Sequence, residues 1–520
     1  MVVGDMLRRN ANNFPGHIAI VSQGRSISYR NLNERVNALS HQLLRRGLQK
    51  GNRVGILVHN SHQFVEAYFA AAKTGAIFCP YNTHSKPGEL KETVNYSEAR
   101  YLIFDHDYSD MMDDLKNAFD SVEHYIDVQN PRLSFAEDYE SLIAAGEKGE
   151  PAVTVHEDDV MSIFFTSGTT GKPKGAMRTH RHILVNIVTG LIELGVGYNE
   201  RILVIFPMYH ISYEDNIGRC FFLPNTMIIR REGGFDPDEV LGLLSRERIT
   251  FCHLVPTMIN AFLRSPNIAA YDLTSLRTIF YAGAPMPVDL LTRALRVFHS
   301  RFFQGYGLTE SGPQTTLLRP EDHVVEGSKK QRERLGSVGT PVVGFEVKIR
   351  GEDGKEVAAG EIGEITGKSE AMMKGYWRMP QESADRLREG WLHTGDLGKV
   401  DEDGYIYLVD RKHDMIISGG INVYPREVEE VLYRHPLVFE ASVFGVPHDY
   451  WGEAVKAVVV LKEGASAGEK EIIDFCGEHL AGYKKPKSVE FWKELPKNPT
   501  GKILKRVIRD QYWKGSGRTI

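Results

Sequence analysis

Cysteine is scarce in this sequence. The 520 residues hold four, Cys79, Cys220, Cys252 and Cys476, with no C-x-x-C spacing and no histidine paired to them. That excludes a disulfide framework and a zinc site, and it predicts reduced, structural thiols in a cytoplasmic protein. Excess charge is missing too: 63 lysines and arginines face 68 acidic residues, a net charge of -5. A nucleic-acid partner is therefore not expected. No uninterrupted apolar run reaches the roughly 20 residues that span a bilayer. The opening Met1-Val2-Val3-Gly4-Asp5 has no basic stretch leading into an apolar core, so no secretory signal is read there. Internal repeats and low-complexity tracts are absent as well. The charge run Lys329-Lys330-Gln331-Arg332-Glu333-Arg334 reads as a solvated loop, with peripheral docking to a lipid surface as the alternative.

What is present is a long strand–helix rhythm. A helix is read at 6–13 and a hairpin at 18–21 and 25–29 around Gly24. An amphipathic helix at 31–44 carries Leu32, Val36, Leu39 and Leu43 on one face. Apolar strands at 53–58, 76–79, 101–104 and 124–127 then alternate with a helix at 64–73, which predicts a parallel sheet with covering helices. Further strands are read at 201–206, 254–258, 278–281, 346–350, 364–366 and 457–461, and helices at 426–434 and 469–479. The length implies about three to four domains or subdomains.

The densest chemistry lies in Thr166-Ser167-Gly168-Thr169-Thr170-Gly171-Lys172-Pro173-Lys174-Gly175. The apolar run 161–165 precedes it, and Ile183, Ile187, Leu191 and Leu194 follow at helical spacing, so it reads as a glycine-rich loop between a strand and a helix. Small residues let backbone N–H groups converge on an anion, while hydroxyls add donors and lysines add charge. The guest this suits is a polyphosphate. It is not a P-loop: Pro173 follows Gly171-Lys172 where that motif requires Ser or Thr, and proline removes a donor and discourages an immediate helix. A second dense string is Gln304-Gly305-Tyr306-Gly307-Leu308-Thr309-Glu310. Its Glu310 stands where a dinucleotide fingerprint needs glycine, which disfavours a Rossmann site. Ala282-Gly283-Ala284-Pro285 would let a flat ligand approach the backbone, or is an ordinary turn. Asp396 reads as a cap or turn former at a loop tip. Pro207-Met208-Tyr209-His210 reads as a pocket wall, and Glu214 and Asp215 beside it as paired or solvated carboxylates or as readers of a polar tail on a substrate.

These strings, in this order, resemble the adenylate-forming superfamily of acyl-CoA synthetases, peptide-synthetase adenylation domains and luciferases. The segments 416–420 and 498–505 are most similar to bacterial fatty-acyl-CoA ligases. The resemblance implies an α/β fold. A large N-terminal domain, 1–410, would hold parallel and mixed sheets, covering helices and a β-rich subdomain. A hinge at 411–413 would join it to a small, mobile α+β C-terminal domain, 414–520. It implies that ATP, Mg²⁺, a carboxylic acid and CoA are bound. Residues 166–172 and Lys174 would hold the phosphates, with Thr166 taking part in the chemistry. Gly283, Ala284, Pro285, Gln304, Gly305, Tyr306 and Gly307 would enclose the adenine, with Tyr306 stacking on it, and Thr309 would contact phosphate. Glu310 would bind Mg²⁺, Asp396 the ribose hydroxyls and Arg411 the ribose and phosphate. His210 would lie beside the acyl group, where amino-acid-activating relatives place an Asp. Lys502 would bridge the carboxylate and α-phosphate. Gly419 and Gly420 would line the thiol tunnel, and Tyr483, Lys485 and Lys487 would meet the CoA nucleotide. One departure is His413, at a hinge position where relatives usually carry Asp or Lys; a histidine there would make the conformational equilibrium sensitive near neutral pH. The implied activity is acyl-CoA synthesis from a medium- or long-chain fatty acid. Carnitine or aryl acids, loading of a carrier protein, and an inactive acyl sensor are the alternatives. Whether the protein is a monomer or homodimer is not legible.

Overall fold

The computed structural model describes residues 1–129, 131–167, 173–284, 286–448, 450–497 and 503–513. The strand–helix rhythm forms the centre of an eight-stranded sheet. Ile77–Pro80, Arg53–Leu57, Ala99–Phe104 and His124–Asp127 lie side by side and parallel. The helix His62–Thr74 is buried almost all round, because Ala70, Ala71 and Ala72 let it pack closely in the interior. A nine-stranded sheet follows the order Thr340–Pro341, Gly312–Leu318, Arg301–Leu308, Thr278–Tyr281, Phe251–Leu254, Arg201–Val204, Thr226–Ile229, Ile18–Ser22, Arg25–Ser28. Its middle is parallel and its edges antiparallel. One continuous core joins the two sheets: Val54, Ile56 and Phe78 from the first share it with Ile202, Phe251 and Phe303 from the second and with Tyr68, Ile187 and Tyr213 from helices. The 18–21 and 25–29 hairpin and the parallel centre thus form as the periodicity predicts.

A five-stranded antiparallel sheet built from Glu346–Arg350, Gly363–Lys368, Leu387–Arg388, Trp391–Val400 and Ile406–Arg411 is the β-rich subdomain. The small C-terminal domain holds the last sheet, in which Val438–His448 and Gly452–Leu461 pair along their length, packed by Pro425–Arg434 and Glu469–His479 over a core of its own. The four cysteines are buried and unpaired. Among the described residues no helix is long and apolar enough to cross a membrane.

Four local expectations need correction. The glycine-rich loop does not run from strand to helix: it joins two antiparallel strands, Val160–Ser167 and Pro173–Thr179, in register from Thr166 opposite Lys174. The helix His180–Leu194 starts only afterwards, where the Thr179 hydroxyl accepts the His182 N–H at 3.2 Å. The strand read at 254–258 is Phe251–Leu254, and Pro256 opens the helix Pro256–Arg264, its fixed φ suiting a first turn. The run Lys329–Arg334 is a short helix, capped by Ser328 and Gln331 in a reciprocal pair of hydrogen bonds. Asp396 lies inside a strand, Trp391–Val400, and not at a loop tip.

Candidate active site

A cleft of about 3500 Å³ opens where the parallel strands of the nine-stranded sheet end, the place where open α/β sheets bind ligands. The small domain covers it with Glu429, Lys497, Ile503 and Lys505. Thr166 and Lys174, which flank the glycine-rich loop, line the cleft. Gly168, Thr169, Thr170, Gly171 and Lys172 lie outside the described residues, as do Pro285 and Lys502. Of Ser167 only its pairing with Pro173 is described.

Gly283, Ala284, Gln304, Gly305, Tyr306, Gly307, Thr309 and Glu310 all border the cleft. Gly305 is required by packing: a Cβ there would come within 2.4 Å of Phe280 Cζ. Glu310 is buried, and its Oε1 accepts the Tyr376 hydroxyl at 2.7 Å. The Lys174 ammonium lies 5.4 Å from the centre of the Tyr376 ring. Tyr376 pairs opposite Ala176 on the strand Pro173–Thr179, so one tyrosine ties that strand to the carboxylate. A single anchored carboxylate facing a cleft edged by lysine and hydroxyls fits Mg²⁺, which takes one or two carboxylates and completes its shell with phosphate oxygens and water.

Asp396 accepts the Tyr306 hydroxyl at 2.8 Å and stands 3.5 Å from Arg411 Nε, opposite it on the neighbouring strand. Burial and the Asp396 charge push the Tyr306 phenol well up, so it stays a donor. Arg411 is followed by His413, whose Nε2 is 3.6 Å from Asp414 and whose imidazole is pushed down by burial. His210 borders the cleft; its Nδ1 accepts the Ser212 N–H at 3.3 Å and lies 3.1 Å from the Ser212 hydroxyl oxygen.

Glu214 and Asp215 are paired inside the protein. Glu214 is 2.7 Å from Arg178 and accepts the Ser162 hydroxyl at 2.7 Å, with both charged side chains buried. Asp215 accepts from Asn186 at 2.8 Å, Gln314 at 3.3 Å and Arg219 at 3.4 Å. The reading of these two as tail recognition loses its support for Glu214.

Gly419, Gly420, Tyr483, Lys485 and Lys487 are not gathered at the cleft. Gly419 donates its N–H to the Trp451 carbonyl at 2.8 Å, Tyr483 is exposed, and the Lys487 N–H is taken by Val455. Lys484 is the cleft residue of that segment, bonded to Glu427 at 2.7 Å. The sequence reading missed Tyr376, Arg386 and His253, which border the cleft. Arg386 donates to the Thr394 carbonyl at 2.8 Å, next to Asp396. None of the three lies in a dense motif.

The fold and the cleft define a class: a large sheet domain and a small covering domain with a wide, polar cleft between them. The chain matches the model of the AMP-binding enzyme family over residues 7–377 and that of the AMP-binding enzyme C-terminal domain over 427–502. It belongs to that family. It is 38% identical over 504 residues to a feruloyl-CoA synthase from Amycolatopsis, covering 97% of this chain and 98% of the relative. It is 35% identical over 515 residues to a long-chain-fatty-acid–CoA ligase from Mycobacterium tuberculosis, covering 98% of each. Among solved structures, the anthranilate CoA ligase AuaEII in complex with anthranoyl-AMP superposes with a TM-score of 0.90 at 28% identity, over 100% of this chain and 98% of that one. The chain is accordingly an AMP-forming acid–thiol ligase of the acyl/aryl-CoA type, using ATP and CoA.

Proposed function

We propose that the chain activates an aromatic carboxylic acid, first as its acyl-adenylate and then as its CoA thioester. The observation that carries the aromatic assignment is the wall on the acyl side of the cleft. Phe206, His253 and Phe280 stand in a row there, with neighbouring ring centres 4.6 and 4.7 Å apart. Aromatic rings favour edge-to-face and offset contact with another ring. The likeness to a feruloyl-CoA synthase supports the same reading. A medium- or long-chain fatty acid is the second reading, supported by the likeness to the long-chain ligase.

A carboxylate is a poor electrophile, because its leaving group would be oxide. Attack on the ATP α-phosphorus gives it AMP as a leaving group and releases pyrophosphate. Both reactants are anions, so the protein must place opposite charge where charge develops. Thr166 and the loop through Lys174 hold the phosphates, Thr309 adds a hydroxyl, and Lys502 spans the carboxylate and α-phosphate. His210 lies beside the acyl group. Tyr306 stacks on the adenine, with Gly283, Ala284, Gln304, Gly305 and Gly307 around it; Asp396 accepts the ribose hydroxyls and Arg411 steadies ribose and phosphate. Mg²⁺ bound at Glu310 would neutralise charge on the triphosphate. In the second step the small domain, 414–520, turns on 411–413 against 1–410. Gly419 and Gly420 then line the thiol path, and Tyr483, Lys485 and Lys487 meet the CoA nucleotide.

The test is pyrophosphate release with Mg-ATP over acids from acetate to palmitate, plus benzoate, cinnamate and carnitine, each with and without CoA. A CoA-stimulated maximum at an aromatic acid is expected. A maximum at palmitate would establish the second reading, release without CoA stimulation would point to carrier-protein loading, and no release with any acid would overturn both.

A further inference from the structure

We infer that Arg386 grips the β- and γ-phosphates of ATP, the part of the nucleotide that leaves as pyrophosphate. The inference rests on the reading of the cleft as the ATP site and goes beyond it by assigning a cation to the leaving group.

Arg386 ends the short helix Pro380–Arg386 and borders the cleft. Its Nη2 donates to the Thr394 carbonyl at 2.8 Å, which holds the guanidinium against the strand Trp391–Val400. Gly395 makes the room: a Cβ there would lie 3.0 Å from Nη1, and at φ +72° a side chain would be strained as well. Among the described residues Nη1 takes no hydrogen-bond partner, and it is not sealed from solvent as Nε is. Nor does Arg386 form an ion pair among the described residues. The carboxylates around it are committed elsewhere: Glu310 accepts from Tyr376, Asp396 from Tyr306 and Asp385 from Gln381. Arg411, by contrast, already faces Asp396 at 3.5 Å.

A guanidinium keeps its charge at any physiological pH and presents a planar fork of donors that matches phosphate oxygens. A half-buried cation with an open donor and no anion of its own is suited to an anionic ligand. Tyr376 indicates which part of ATP that is. Burial and the Glu310 charge push its phenol up, and the Arg386 charge pulls it the other way, so both groups lie against one ring. Glu310 accepts the Tyr376 hydroxyl at 2.7 Å, and the Lys174 ammonium is 5.4 Å from the ring centre. Lys174 and Arg386 thus place two cations beside the carboxylate assigned to Mg²⁺, on the side that the reading above gives to the triphosphate. Adenine and ribose are provided for separately by Tyr306, Asp396 and Arg411. When the acid oxygen bonds to the α-phosphorus, the bond from that phosphorus to its bridging oxygen breaks. The electron pair goes to pyrophosphate, and a fixed guanidinium there stabilises the charge as it develops.

The experiment is calorimetric titration of the full-length wild type, R386Q and R386K with ATP, with inorganic pyrophosphate and with AMP, each in the presence of Mg²⁺ and without acid or CoA. R386Q should weaken ATP and pyrophosphate by about tenfold to a hundredfold, the loss expected for a hydrogen bond to a charged group, and AMP by less than about twofold. R386K, which keeps the charge and loses the fork, should fall between. A merely structural role would displace Thr394 and Gly395 beside Asp396 and so weaken AMP along with ATP. Equal weakening of ATP and AMP, or unchanged ATP binding, overturns the inference while the nucleotide reading stands. If R386Q does not fold, R386K decides by the same comparison of ATP with AMP. Wild-type protein that binds neither ATP nor AMP overturns the nucleotide reading itself.

Discussion

Glu310 shows how one residue can be held in place by its neighbour. Its carboxylate is buried and held by the Tyr376 hydroxyl at 2.7 Å. Replacing Glu310 with Gln should lower pyrophosphate release by roughly 10²–10³-fold, the usual loss for one preorganised charge-stabilising group. Tyr376→Phe keeps the ring under Lys174 and removes only the donor. It should lower the rate by about tenfold, as expected for one hydrogen bond to a charged group, and raise the Mg²⁺ concentration for half-maximal rate. A magnesium titration reads both; an unchanged titration in Tyr376→Phe would show that the hydroxyl does not position Glu310. A second residue-scale consequence concerns His180, whose Nδ1 accepts the Val3 N–H at 3.2 Å. Burial pushes its imidazole from the ordinary 6.5 down to about 4. Since the folded value lies below the unfolded one, its contribution is complete above pH 6.5 and is lost as the pH falls towards 4, a total of about 3 kcal/mol. Melting temperatures between pH 7 and pH 5 should therefore decline less steeply in His180→Gln than in the wild type, and equal slopes would refute this.

At the scale of elements, the Arg178–Glu214 pair joins the strand Pro173–Thr179 to the helix Ser212–Phe221, which follows His210. Arg178 and Glu214 are both buried, and burial pushes the Glu214 carboxyl up against the pull of Arg178. Removing one member strands the other, at a cost of about 3–5 kcal/mol, whereas an apolar pair of similar size can be nearly neutral. Arg178→Met and Glu214→Leu should each lower the melting temperature sharply, and the double substitution should recover most of the loss; additive losses would show that the pair is not coupled. This contact also marks what was legible in the sequence. Local periodicity found His124–Asp127, Thr278–Tyr281 and Glu469–His479 at the bounds they adopt. It failed where a local signal had two meanings, as in Leu254-Val255-Pro256, whose β-branched residue and proline end a strand and open a helix. At the site, the glycine-rich strings announced Gln304 to Glu310 because close backbone approach leaves a compositional mark. Tyr376 and His253 left none: they reach the cleft through partners far along the chain, Tyr376 opposite Ala176, or across the sheet, His253 opposite Phe280. A buried ion pair between residues 178 and 214 is invisible to periodicity for the same reason.

At the scale of the whole molecule, the small domain turns one of its faces to the cleft. Lys497, Ile503 and Lys505 border it, while Gly419 packs against Trp451 on a face that leaves Ile417, Ile421 and Tyr450 exposed. Among the described residues, the contacts between the small domain and the rest include Asp410 accepting the Arg426 N–H at 2.9 Å and Arg264 lying 4.6 Å from the Phe439 ring centre. Interfaces of that kind permit domain motion. The two-step reading requires it, because a lysine needed for adenylate formation would otherwise stand where the thiol must enter. Variants at the two loops should then fail in opposite steps. Lys502→Ala should lose pyrophosphate release by at least about 10²-fold, yet still convert supplied acyl-AMP and CoA to thioester. Gly420→Leu places a branched side chain at φ +81°, where such residues are strained, and on the proposed thiol path. It should keep single-turnover adenylate formation and lose the conversion of supplied acyl-AMP. Rapid-quench measurement of both half-reactions in both variants decides the matter. A crossed pattern supports alternation about 411–413; if each variant loses both steps, the two loops serve one fixed geometry and the rotation must be abandoned.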